Sequence, residues 1–278
     1  MATADSIPDL RVSPDEVVPM QIAAAAVVAC RRDLAANGNN ILAEIGANKG
    51  PLADWHHYPA GEVYDPLTHA QYFYHAHPPA DRLVGEHGHF HIFLRAEGMP
   101  PGVAPLVLPE TAVAADTRLP PQAAPLKHGV REEVSHLVAI ALDPDGEPIR
   151  LFTTNRWVTG ETWYRADDVI RMLDRFTIGE VAGPVILNRW LGSMLVLFRP
   201  QIVALLRLRD RTVMEWRRRR RSNVFEDNRL EITSSVEIDL SAQLAFLDQV
   251  ATGAGAKGSA QRSRLPPMAE GWGENQVG

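Results

Sequence analysis

Gln71-Tyr72-Phe73-Tyr74-His75-Ala76-His77 is followed, after Pro78-Pro79 and a short polar link, by Glu86-His87-Gly88-His89-Phe90-His91-Ile92-Phe93. Both runs are aromatic and alternating, and they read as the two strands of a β-hairpin interrupted by the proline pair. Opposed residues of an antiparallel pair share a face. Setting His77 opposite His87 puts His75 opposite His89 and Phe73 opposite His91, which gathers five imidazoles on one surface. The other surface then collects Tyr72, Tyr74, Ala76, Gly88, Phe90 and Ile92, a coherent core face. A slip of one residue scatters both sets, so the apolar pattern selects this register.

A second hairpin follows in the chain. His136 to Leu142 and Ile149 to Thr154 flank Asp143-Pro144-Asp145-Gly146, whose proline and glycine each suit a turn position. Helices are expected on both sides of these strands. Ser13-Pro14-Asp15-Glu16 is a helix start, running to about Ala36 and stopped by Asn37-Gly38-Asn39-Asn40. Ile41 to Ile45 is a shorter helix. Asp167-Asp168 opens another, with Val169, Ile170, Leu173 and Phe176 at helical spacing. Val185 to Phe198 is apolar on most faces and reads as a buried helix. Pro200 begins the next, to about Arg219. A short extended piece near Leu230 to Ile232 and a helix from Leu240 to Val250 complete the pattern. The fold class predicted is α+β: a small antiparallel sheet of two β-hairpins packed against N- and C-terminal helices. The expected organisation is one domain over 14–250, with residues 1–13 and the glycine-rich 251–278 unstructured. Gly98 to Lys127 carries seven prolines and reads as a surface excursion or lid of that domain.

Composition narrows the function classes. With 278 residues, 45% hydrophobic and 22% charged, the chain has the make-up of a globular protein. A net charge of −6 argues against nucleic acid as the main partner. The single Cys30 excludes an internal disulfide framework and a cysteine zinc cluster. No apolar run reaches the ~18 residues that span a bilayer, and the acidic first twenty residues do not read as a secretion signal. The expectation is a cytoplasmic protein with no membrane partner.

Eight of the ten histidines lie between His56 and His91. Histidine is the commonest metal ligand and a proton carrier near neutral pH. Residues two apart on a strand are about 6.7 Å apart, and with metal–nitrogen bonds near ~2.1 Å a His-x-His pair can chelate one ion. His87 and His91, four apart, are at the limit of reach. The metal ligands are therefore drawn from His75, His77, His87, His89 and His91: one adjacent pair and one histidine from the facing strand, with or without a carboxylate. The nearby acids are Asp54, Glu62, Asp65 and Glu86, of which Glu86 would point away from its neighbour His87. Such ligands suit a divalent transition metal, zinc or iron first, and disfavour magnesium and calcium. Glu86, His57 and Tyr58 are the candidate catalytic groups. Arg95 and Arg156, the latter in Asn155-Arg156-Trp157, are candidates to hold an anionic substrate. A metal-free histidine pocket and purely structural histidines are the competing readings.

Other motifs carry less. Asn188-Arg189-Trp190 repeats the Asn-Arg-Trp triplet on a helix, so it is no structural repeat. Tyr72 and Tyr74 fall on the core side of the alternation. Arg217 to Arg221 reads as a solvated helix end, with nucleic acid or an acidic partner as its alternative. Gly253 to Ser259 lacks the spacing of a phosphate loop, and no nucleotide cofactor is predicted.

The segments Asp54-Trp55-His56-His57-Tyr58-Pro59, Gln71 to His77, Glu86 to Arg95 and Leu151 to Tyr164 resemble a bacterial domain family with no established activity. The resemblance spans about residues 50 to 240, and it implies a bacterial, cytoplasmic protein without naming a reaction. The leading expectation is a metal-dependent enzyme, hydrolase or oxygenase, acting on a small molecule. Its rivals are a metal carrier or sensor and a protein-interaction module using the arginine-rich helix. Homo-oligomerisation is left open.

Overall fold

The computed structural model describes residues 11–46, 52–108, 133–220, 223–254 and 263–264. Its centre is a six-stranded antiparallel sheet. With β1 at Arg11–Val12, the sheet strands are β2 (Tyr58–Tyr64), β3 (Ala70–His75), β4 (Gly88–Arg95), β5 (Val134–Leu142), β6 (Pro148–Thr154) and β7 (Ile232–Glu237), paired in that order. The two expected hairpins thus lie side by side. They are joined through β4 and β5 and extended at the edges by β2 and β7.

Alternation explains which side is packed. Tyr72, Tyr74, Phe90, Ile92, Val138, Ile140, Leu142 and Leu151 are all fully buried on one face. Helices α1 (Pro14–Ala35), α2 (Ile41–Glu44), α3 (Arg156–Thr159), α4 (Ala166–Leu173), α5 (Val185–Leu197), α6 (Arg199–Arg219) and α7 (Leu240–Ala254) accompany the sheet. In α1, Glu16 takes the backbone N–H of Ser13 at 2.8 Å, a capping contact that starts the helix. Its residues Val17, Met20, Ala24, Val27 and Leu34 recur at helical spacing and join the core with Leu187, Trp190, Leu191 and Met194 of α5. Trp190 reaches the sheet at Phe90, ring centroids 6.1 Å apart. Helices α5 and α6 meet at a 72° bend, and no single helix among the described residues is long and apolar enough to cross a membrane.

Several boundaries differ from the sequence reading. Strand β2 was not anticipated, because Pro59 and Gly61 break the alternation that marks a strand. Its register slips between Tyr58, opposite Tyr74, and Val63, opposite Tyr72. Strand β7 is longer than the short piece foreseen, and α7 runs four residues past Val250 to Ala254. Arg11–Val12 pairs with β8 (Ser263–Arg264) as a separate two-stranded ribbon inside stretches expected to be unstructured. The first part of the proline-rich excursion docks on the chain: Pro105 bridges Tyr164, and Leu106 N–H donates to Trp163 O at 2.7 Å. Its residues 109–127 lie outside the described residues, as do most of 251–278 and residues 1–10.

One glycine sets the spacing of β3 and β4 at the site. A Cβ on Gly88 would stand 2.5 Å from His75 O and 2.8 Å from the Tyr74 hydroxyl. Gly88→Ala must therefore push the two strands apart, and a loss of roughly 1–3 kcal/mol is expected in urea unfolding. Wild-type stability in this variant contradicts the close approach.

Candidate metal centre

The face of the sheet opposite the helices carries the imidazoles. His75 stands opposite His89, and Phe73 opposite His91, which is the register read from the sequence. His75, His89 and His91 are buried, and one ring nitrogen from each lies within 4.8 Å of the others. His75 Nε2 and His89 Nε2 are 2.8 Å apart. Around a tetrahedral ion with ~2.1 Å bonds, ligand nitrogens stand about 3.4 Å apart, a spacing that the three imidazoles, with ligand atoms within 4.8 Å of one another, could reach by ring rotation.

The outer partners orient these rings. Glu86 Oε1 is 2.6 Å from His89 Nδ1, with both side chains 6% exposed. A carboxylate only accepts, so Nδ1 carries the proton and His89 Nε2 presents its lone pair inward. His91 Nδ1 is 3.1 Å from Nε2 of His136, whose own Nδ1 is 3.5 Å from Thr154 Oγ1. With Nδ1–H of His91 donating to His136, His91 Nε2 is free to ligate. Removing the charge behind His89 should weaken the site: Glu86→Gln is expected to lower zinc affinity about 10–100-fold in a chelator competition. Unchanged affinity would exclude Glu86 from the centre.

Burial keeps these rings neutral. Desolvation, reinforced by the neighbouring imidazoles, pushes His75 down to about 2 and His91 well below the ordinary histidine value. His136 falls to about 3, through burial first and the Arg209 charge second. A neutral imidazole is the ligating form. Aromatic rings wall the cluster, with Phe152 5.0 Å from His89, and Phe73 5.5 Å from His75 and 5.2 Å from His91.

The remaining sequence candidates are distributed around this core. His77 lies just beyond β3, its ring 5.1 Å from His89 and beneath Trp55 at 4.3 Å, but outside the three-nitrogen set. His87 is separated from the cluster. It precedes the regular part of β4, its N–H donates to Leu142 O, and its Nδ1 meets the core-side Tyr74 hydroxyl at 2.8 Å. His57 stacks on Phe73, centroids 3.7 Å apart, and contacts Glu62 Oε1 through Nδ1 at 2.7 Å. The Tyr58 hydroxyl accepts Ala53 N–H at 3.0 Å, which ties down the preceding loop. Arg95 is buried, and its Nε donates to Gln71 Oε1 at 2.7 Å. Arg156 pairs with Glu226. Asp65 is occupied by the Leu67 and Gly179 amides, and Asp54 lies 3.8 Å from Arg82.

His136 is the residue the sequence reading missed. It was placed on a strand, yet its face could not be read, because the register shifts from Ile92–Val138 to Phe93–His136. That bulge at Leu137 turns His136 onto the face of His91.

The chain belongs to the DUF6969 family, a domain of unknown function, whose model matches residues 21–238. No curated protein and no solved structure matches it.

Proposed function

We propose that this protein is a metal-dependent enzyme in which His75, His89 and His91 hold one divalent transition-metal ion, zinc before iron, and which acts on a small molecule. The observation that carries the reading is the convergence of three buried, neutral imidazoles, two of them braced from behind by Glu86 and His136. An ion held there would replace the proton that His75 Nε2 and His89 Nε2 share at 2.8 Å.

The ligand chemistry favours hydrolysis over oxygen activation. Non-haem iron oxygenases use two histidines and a carboxylate, whereas three neutral imidazoles leave the full ionic charge on the metal. An ion so held, with a fourth position open, acidifies a bound water towards neutrality. A carrier would instead complete the coordination shell, and three ligands do not.

Elemental analysis of untagged protein, purified without added metal, tests the reading. About one zinc or iron per chain is expected. Protein that is metal-free and also refuses added zinc, ferrous iron and copper would refute it.

A further inference from the structure

A second imidazole system borders the three-histidine cluster and takes no part in holding the ion. His57 lies flat on Phe73, the planes 9° apart, and its ring centroid is 5.8 Å from that of His75. Its Nδ1 meets Glu62 Oε1 at 2.7 Å, so that nitrogen carries the proton and Nε2 is a bare lone pair. Among the described residues no protein group occupies Nε2. The His57 side chain is 35% exposed and that of Glu62 22%, in contrast to the closed imidazoles beneath.

The chain goes out of its way to place Glu62. Its φ is +65°, in the left-handed region that non-glycine residues rarely enter. It sits in the register break of β2, and a bulge there re-aims a side chain next to a site. Trp55 and His69, at φ +65° and +62°, are the other non-glycine residues in this region among those described. Strain retained at one place points to a functional demand on geometry. Glu62 is then held from behind: Gln71 Nε2 donates to its Oε2, and the buried Arg95 donates Nε–H to Gln71 Oε1. Gln71 is oriented at both ends, and the guanidinium charge stands behind the carboxylate.

We infer that His57 is the proton-transfer residue of this site, oriented by Glu62, in hydrolytic chemistry for which an activated carboxylic ester is the simplest test substrate. This rests on the metal-enzyme reading. Nε2 takes one proton from the attacking water as its oxygen bonds to the acyl carbon. It returns that proton to the departing alcohol oxygen as the carbon–oxygen bond breaks, so His57 ends as it began. Arg95 and Gln71 act as positioning residues, because they reach the substrate only through Glu62.

Two readouts on zinc-loaded protein test this, with zinc content measured alongside. Diethyl pyrocarbonate should acylate His57 faster than its exposed neighbour His56, resolved by fragment-ion assignment, and Glu62→Gln should lower the His57 rate to that of His56. With p-nitrophenyl acetate as the ester, His57→Asn should keep its zinc and lose at least tenfold in turnover, partly restored by added imidazole. A wild-type His57 no more reactive than His56, turnover unaffected by His57→Asn, or a zinc-loaded wild type inert to the ester would each overturn the assignment. A protein that holds no zinc refutes the metal reading instead, and the elemental analysis separates the two failures.

Discussion

His89→Ala is expected to give a folded protein that does not bind zinc. His89 is the hinge of the cluster: its Nε2 is 2.8 Å from His75 Nε2, its ring is 4.8 Å from that of His91, and Glu86 holds its far side. Deleting an outer carboxylate costs about 10–100-fold in affinity, and deleting the ligand itself removes a bond to the ion, so the loss should exceed ~100-fold. By the relation of tenfold to ~1.4 kcal/mol, that is about 3 kcal/mol or more of binding free energy. The variant also strands Glu86 in a buried position, at a cost of roughly 1–3 kcal/mol in stability. Pairing His89→Ala with Glu86→Gln relieves that cost without restoring the ligand. The specificity control is His87→Ala: its ring faces Tyr74, so zinc should stay bound. Stoichiometric zinc in His89→Ala, with normal circular dichroism, would mean that the ion is held elsewhere or not held by this cluster.

Period-two alternation explains why so much of this centre was legible in advance. The pairings His75 with His89 and Phe73 with His91 follow once Tyr72, Tyr74, Phe90 and Ile92 are assigned to the core. The long helices were equally readable, since Ser13, Asp167 and Pro200 mark starts and glycine or proline mark ends, whereas the single turn of α3 at Arg156–Thr159 was not. Irregular backbone hid the rest. His87 stands one residue before the regular ladder of β4, so alternation no longer governs its direction. His136 reaches the site only through the bulge at Leu137, and Glu62 only through the left-handed turn in β2. Bulges and positive φ values carry weak sequence signatures outside glycine and asparagine. The site is thus assembled from a readable frame and side chains re-aimed by unreadable irregularities.

Those irregularities also separate two environments on one face. The inner rings of His75, His91 and His136 are dry and neutral, suited to ligation. His57 stays in contact with solvent and keeps a carboxylate partner. Arg95, expected to clamp substrate, has its charge facing Glu62, Tyr64 and Glu97 and its Nε on Gln71, which makes it a support for Glu62.

The metal-free protein should lose stability as the pH falls from 7 to 5. A histidine whose folded value is depressed resists the proton that the unfolded chain takes up at about 6.5, so stability rises with pH across that value and is lost below it. His75 at about 2, His136 at about 3 and His91 well below the ordinary value all stay neutral at pH 5 in the folded state. His75 and His136 each then forfeit about 2 kcal/mol between pH 7 and pH 5, together about 4 kcal/mol, and the depressed His91, His77 and His87 act in the same direction. Glu161 opposes them. Burial raises its carboxyl to about 7, so the folded state gains a proton first, which returns about 2 kcal/mol over the same interval. Asp65 and Asp227 are held below the carboxylate range and matter only at still lower pH. Burial raises Glu231 in the same sense as Glu161, and the balance, a loss of about 2 kcal/mol before His91 is added, is a sizeable part of the roughly 5–15 kcal/mol that keeps a domain folded. Urea unfolding at pH 7 and pH 5 measures it directly, and equal midpoints would show that the inner histidines are not held neutral. Glu161→Gln provides the sign check from the other side. It removes the compensating proton, so its stability should fall more steeply with acid than that of the wild type, while at pH 8 the variant should be the more stable of the two.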